Sequence, residues 1–185
     1  MSAAAEPTAA PEPRPVVIRR LGVADAERYR AFRLAALRAA PTAFTSSYEE
    51  ERARPMAATL RRLAGAEEGP GALLGAFGED GALLGTAGLS VPERRQERHK
   101  ATLYGMAVAR ATAGRGIGRA LVERALRTAE EDRRLRQVLL TVSAGNEPAV
   151  RLYTSCGFEV WGREPRAVLV GRRAVVKLHM VRLLD

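Results

Sequence analysis

Ala113-Gly114-Arg115-Gly116-Ile117-Gly118-Arg119 joins a predicted strand, Ala101 to Val108, to a predicted helix. The helix is read from Ile117, Leu121, Val122, Ala125, Leu126 and Ala129, which recur on one apolar face. At such a junction the amides of the first helical turn lack intrahelical partners and point outward. With the helix dipole they form an anion site, commonly for phosphate. Glycines there accept positive φ and let a phosphate approach the backbone. Arg115 and Arg119 add charge-assisted donors. Two phosphate motifs do not fit. No Lys-Ser or Lys-Thr follows, as a P-loop requires. The spacing is G-x-G-x-G rather than G-x-G-x-x-G, and Val142, at the end of the next strand, is followed by Ser143 instead of an acid.

Working outward, Val16-Val17-Ile18 predicts a first strand. Tyr29, Phe32, Leu34, Ala36 and Leu37 predict a helix over Asp25 to Arg38, ended by Pro41. Ser46 or Ser47 before Glu49-Glu50-Glu51 has the chemistry of a helix N-terminus. Pro55 interrupts, and Met56 to Leu63 reads as a further short helix. Ala72 to Phe77 and Ala82 to Val91 are strands joined by Gly78-Glu79-Asp80-Gly81, where Asp-Gly marks a hairpin. Gln137 to Val142 is a strand, and Asn146 to Ser155 a short helix stopped by Gly157. Phe158 to Trp161, Ala167 to Val170 and Ala174 to Val181 are strands, the last two joined by Gly171-Arg172-Arg173. The strand–helix–strand unit over 101–142 demands a parallel pairing, and the hairpins demand antiparallel ones. The expected fold is α/β (α+β), a mixed, mostly antiparallel central sheet flanked by helices.

Length and composition agree with one domain. The chain has 185 residues, 46% of them hydrophobic, enough for one full core. Residues 1–14 are Ala, Pro and Glu with almost no large apolar side chain, so a flexible tail is expected there and a single domain over 15–185. No apolar run approaches the ~20 residues of a membrane span. The N-terminus lacks the pattern of a secretory signal, and the one cysteine, Cys156, excludes an internal disulfide framework. A cytoplasmic location is expected. The net charge is +9, from 30 Lys+Arg against 21 Asp+Glu. A basic surface serves nucleic acid, a polyanionic cofactor, or only solvation. The arginines are scattered and aromatics are 5% of the chain, which leaves few platforms for stacking bases.

Two segments together resemble the GNAT superfamily of acyl-CoA-dependent N-acyltransferases. Gly105-Met106-Ala107-Val108 through Leu121-Val122 is similar to its pyrophosphate motif, R/Q-x-x-G-x-G/A after a strand and opening a helix. Asn146-Glu147-Pro148-Ala149-Val150-Arg151-Leu152-Tyr153-Thr154-Ser155-Cys156-Gly157-Phe158 resembles its second motif, N-x-x-A-x-x-L-Y-x-x-x-G-F. The element order matches over 16–184, most strongly over 101–158. The resemblance implies acetyl transfer from acetyl-CoA to a primary amine by direct attack in a ternary complex. Cofactor contacts are then expected from Met106, Ala107, Val108, Ala113, Gly114, Arg115, Gly116, Ile117, Gly118, Arg119 and Asn146. One position departs. Ala113 stands where the family usually has Arg or Gln, so a side-chain donor is lost while the backbone amides remain, and Arg110 or Arg115 is placed to compensate.

Amine acetylation needs a deprotonated amine, a thioester carbonyl held beside it, a stabilised oxyanion and a protonated leaving thiolate. The resemblance gives the carbonyl to the backbone N–H near Val108, and the thiolate to the hydroxyl of Tyr153, the one catalytic residue expected. A tyrosine here also fits a core position, and Asn146 also fits a helix cap. The base stays open. Thr102 falls where relatives often carry a Glu, leaving Glu49, Glu50, Glu51 or a water chain. Tyr104 either lines the acceptor cleft or packs in the sheet. His99 and His179 have no ligand spacing with Cys156, so no metal is expected. The expected partner is an amine acceptor, small molecule or protein; neither nucleic acid nor a membrane is expected, and a homodimer stays open. The acids near Phe44 to Glu51 point weakly to a cationic acceptor. The alternatives are a non-catalytic acyl-CoA-binding module and a basic nucleic-acid-binding protein.

Overall fold

The computed structural model describes residues 15–68 and 70–184, with the backbone alone at Glu68. The tail expected over 1–14 lies outside the described residues. The chain runs β1 (Val17–Arg20), α1 (Ala26–Ala39), α2 (Tyr48–Ala53), α3 (Met56–Glu68), β2 (Ala72–Phe77), β3 (Leu83–Ser90), β4 (Lys100–Val108), α4 (Ile117–Glu130), β5 (Gln137–Ser143), α5 (Glu147–Ser155), β6 (Glu159–Val170) and β7 (Arg173–Leu183). The seven strands form one sheet in the order β1-β2-β3-β4-β5-β7-β6. Only β4 and β5 pair in parallel. The mixed sheet expected from the sequence is the sheet observed.

Local chemistry sets most boundaries. Ser47 caps α2 by accepting from the Glu50 amide, and Glu50 reaches back to the Ser47 amide. Arg54 leaves the helix in extended conformation ahead of Pro55, so α2 and α3 are separate. The β2–β3 turn is closed by Gly81 at φ 74° and by Asp80, whose carboxylate accepts from the Ala82 amide. Two differences from expectation appear. α3 runs on to Glu68, well past Leu63. The segments Phe158 to Trp161 and Ala167 to Val170 are not two strands, because β6 is continuous from Glu159 to Val170. Pro165 survives inside it because β6 is an edge strand whose register with β7 shifts between Glu164 and Val168, so the missing N–H costs no ladder bond.

Helices cover both faces of the sheet. α1 and α3 bury Tyr29, Leu63 and Ala66 with Leu73, Phe77 and Leu83 on one face. α4 buries all six residues of its predicted stripe on the other, against Leu74, Ala87, Leu103 and Leu140. Each fully buried Leu there adds roughly 1.5–3 kcal/mol.

Two irregularities shape the middle of the sheet. The β4–β5 pairing covers only Lys100↔Gln137, Ala101↔Val138 and Thr102↔Leu139. Beyond Thr102 the two strands part, leaving an open wedge between them. β4 also carries a bulge, since Thr86 faces Ala107 while Gly88 faces Tyr104. Gly105 takes φ 60° there, and its carbonyl accepts from the Thr86 hydroxyl. The extra residue reverses the alternation of side chains. Ala101 and Leu103 lie on the α4 side before it; Met106 and Val108 pack on that side after it.

Candidate active site

The glycine segment forms a ring of unpartnered donors at the mouth of the wedge. After a short turn at Arg110–Thr112, Gly114 and Gly116 adopt φ 79° and 77°, and Gly116 is the N-cap of α4. A side chain at either would meet nothing within 4 Å, so the backbone conformation and not space requires glycine. Among the described residues, the amides of Gly114, Gly116, Ile117, Gly118 and Arg119 find no acceptor. They are exposed or sit at the first turn of a fourteen-residue helix, whose dipole adds positive potential. Gly118 differs: a Cβ there would lie 3.2 Å from Leu152 and 3.4 Å from Met106. Its missing side chain lets α4 sit close to the end of β4.

The arginines of the loop part company. Arg119 donates to the Ser155 hydroxyl at 2.7 Å and lies 3.6 Å from Glu123, so it ties α4 to α5. Arg115 and Arg110 are exposed and make no ion pair among the described residues. Ala113 is exposed and extended.

On the wedge side of β4, the Ala109 amide donates to the Leu84 carbonyl of β3 at 2.7 Å. Strand alternation therefore turns the Val108 amide the other way, toward the wedge. Across it stands α5. Asn146 caps that helix, accepting from the Ala149 amide at 3.3 Å, and its side-chain NH2 has no partner among the described residues. Tyr153 is 6% exposed, edge-on to Phe158 with ring centroids 6.0 Å apart. Burial, with the adjacent Cys156 thiol, pushes the Tyr153 phenol well above its ordinary range. It stays a proton donor at any physiological pH.

A second cluster lies on the opposite face of the sheet, beside the start of the wedge. Tyr104 of β4 lies flat over Gly88, where any side chain would run into its ring. Its phenol is raised by burial and by Tyr29, and lowered by Arg62 and Arg33. Arg62 of α3 donates to Glu51 at 3.4 Å and to the Tyr29 hydroxyl at 3.3 Å. Arg33 of α1 stacks 4.8 Å over the Phe44 ring. The acids of α2 have distinct fates. Glu50 is a cap, Glu51 is buried beside Arg62, and Glu49 is exposed. The three acids thus do not act as one surface. The loop between α1 and α2 is pinned from below. Buried Lys177 of β7 donates to the Ala43 carbonyl at 2.9 Å and the Ser143 hydroxyl at 3.0 Å, and Ser143 donates to the Thr42 carbonyl. Burial lowers the Lys177 ammonium from its ordinary range.

Of the residues the sequence singled out, the loop lies at the N-terminus of α4, Val108 ends β4, Asn146 caps α5 and Tyr153 is buried within α5. The sequence reading missed Tyr29, Arg33, Arg62 and Lys177. Tyr29 and Arg33 are four apart on α1, one helical turn, and that spacing was the only local signal.

The sequence pattern of the acetyltransferase (GNAT) family matches residues 34–158. The chain is 51% identical over 51 residues to the mycothiol acetyltransferase of Acidothermus cellulolyticus, covering 28% of this chain and 15% of that protein. It is 28% identical over 104 residues to the L-amino acid N-acetyltransferase AaaT of Escherichia coli, covering 56% of this chain and 64% of that protein. The chain thus spans less than two thirds of either relative. A crystal structure of a GNAT-family acetyltransferase from Streptococcus pneumoniae superposes with a TM-score of 0.82 at 25% identity, covering 92% of this chain and 100% of that one. A ribosomal-protein-alanine N-acetyltransferase from Brucella melitensis gives a TM-score of 0.76 at 25% identity, over 91% and 99%.

Proposed function

Because the chain belongs to the acetyltransferase (GNAT) family, we propose that it is an acetyl-CoA-dependent N-acetyltransferase working by direct transfer to a primary amine. The carrying observation is the set of partnerless amides from Gly114 to Arg119 beside the β4–β5 wedge. They suit a pyrophosphate, and each charge-assisted bond contributes roughly 1.5–3 kcal/mol. Backbone amides do this work, which is why Ala113 in place of a polar residue is tolerated. Free Arg115 adds charge. The wedge fits an extended pantetheine arm along Met106, Ala107 and Val108, with the Asn146 amide facing it from the other wall.

The reaction forms a C–N bond and breaks a C–S bond. The neutral amine attacks the thioester carbonyl, whose oxygen takes up negative charge against the Val108 amide. As the C–S bond breaks, the Tyr153 hydroxyl protonates the departing thiolate. The amine releases one proton to solvent, and solvent returns one to the Tyr153 phenolate, so no net proton is gained or lost. Products are an acetamide and a free thiol. The domain responsible is 15–185, and a cytoplasmic location follows from the cofactor. No helix among the described residues is long and apolar enough to cross a membrane.

Two measurements test this. Acetyl-CoA should raise the melting temperature, and a panel of amines should contain one that drives thiol release. A thermal shift with no thiol release from any amine would make the protein a non-catalytic acyl-CoA-binding module.

A further inference from the structure

The acceptor-side cluster holds more positive charge than its own residues neutralise. Nε and Nη1 of Arg33 are enclosed and have no hydrogen-bond partner among the described residues. Nη1 of Arg30, one helical turn earlier on α1, is in the same state. Glu51 is the carboxylate within reach of this group, and it is already engaged through Oε1 with Arg62. Its Oε2 is also enclosed and unpartnered. Enclosing two guanidinium nitrogens without an acceptor removes hydration that none of the described residues returns. Burial does lower the Arg33 guanidinium from its ordinary range, despite Tyr29 and Glu51 nearby.

The cluster also adjoins open space. Arg62 and Tyr104 line a cavity of about 530 Å³, a size suited to a small metabolite. Arg98 and Arg134 line it too, Arg134 paired with Asp132, and among the described residues Glu93 is the carboxylate in its wall. Phe44, which covers the Arg33 guanidinium, lines a second cavity of about 440 Å³ between the α1–α2 loop and the β6–β7 hairpin. Arg33 itself lies behind this wall, close enough to Arg62 and Tyr104 for their charges to interact.

We propose that the acceptor is an amino acid whose carboxylate is held by Arg33 and Arg62, beside Tyr104, with its amine directed along β4 toward Val108. This rests on the acetyltransferase reading above. It replaces the cationic acceptor that the acid run in the sequence pointed to. Planar guanidinium groups suit carboxylates through paired N–H···O bonds. A site built this way discriminates strongly, because a neutral analogue leaves the buried cations unpaired.

The test compares matched pairs of acceptors by thiol release from acetyl-CoA. L-amino acids and ω-amino acids of increasing length are each set against their carboxamides and their decarboxylated amines. The expected result is a kcat/KM at least roughly 30-fold higher for the acid of the best pair. Arg33→Met and Arg62→Met should abolish that ratio by lowering the acid and sparing the amide. A folding defect would lower both members alike, and the wild-type ratio then decides alone. Equal or better turnover of the amide or the amine, or of a peptide N-terminus, overturns the carboxylate assignment and leaves the acetyltransferase reading intact. Acetyl-CoA binding with no acceptor turned over overturns both.

Discussion

The two sides of β4 are built by different means. On the α4 side the proposed cofactor site is made of backbone: five amides from Gly114 to Arg119 and the Val108 amide, fixed by φ angles at two glycines. The α1–α3 side uses side chains from four separate elements, Tyr29 and Arg33, Glu51, Arg62, and Tyr104. Backbone donors are the same whatever the residue, so a short run of sequence specifies them. Side-chain constellations depend on which elements meet, so their members are scattered. A cofactor that never changes suits the first construction, and an acceptor that varies suits the second.

The largest expected effect is at Tyr153, a side chain on the otherwise backbone-built side. Tyr153→Phe keeps the ring packed on Phe158 and deletes the proton donor. Turnover should fall by about 10²–10⁴-fold, with acetyl-CoA affinity by titration little changed. Since burial raises this phenol, the wild-type rate should show no alkaline loss from Tyr153 below its ordinary pKa near 10. Full turnover of the variant across acceptors of different basicity would make Tyr153 a packing residue.

Gly116→Val breaks the backbone construction itself. A residue with a Cβ in this left-handed conformation costs roughly 1–2 kcal/mol, and relieving that strain turns the amides away. Acetyl-CoA at 100 times its dissociation constant stabilises a protein by roughly 2.7 kcal/mol. Most of that thermal shift should vanish in the variant. A preserved shift would mean that the loop does not hold the cofactor.

The smallest effect concerns the tie beneath the acceptor loop. Burial lowers the folded-state pKa of Lys177 below its unfolded value near 10.5. As pH rises through the folded pKa, the native lysine releases its proton before the unfolded one, so the unfolded state binds more protons and stability rises. Relative to Lys177→Met, the wild type should therefore gain stability between that lowered pKa and about 10.5. Denaturant melts of both proteins over this range measure the difference. A pH-independent difference would place the ammonium in contact with water.

Legibility from sequence follows the same division. The α4 stripe, the Asp80-Gly81 turn, the Ser47 cap and the glycine loop are short-range devices, and each stood where its residues indicated. The parallel β4–β5 contact was legible as topology; its early end was implied by the family resemblance, whose strand here is typically splayed, and not by the residues themselves. Parting of strands depends on what packs above and below them. Glu51 looked like one of three equivalent acids and proved the buried one, a distinction set by Arg62 eleven residues away. The continuity of β6 was hidden by Pro165, which reads as a breaker unless the strand is known to lie at an edge.

The bulge at Gly105 has an evolutionary consequence. A regular strand would show Tyr104, Met106 and Val108 on one face, and any drift there would disturb both ligands together. With one inserted residue, the even-numbered positions face α1 and α3 before Gly105 and α4 after it. A lineage can therefore rewrite Tyr104 and the arginines around it to take a new acceptor while the thioester side is inherited unchanged. A single glycine makes the molecule modular at the scale of half a strand.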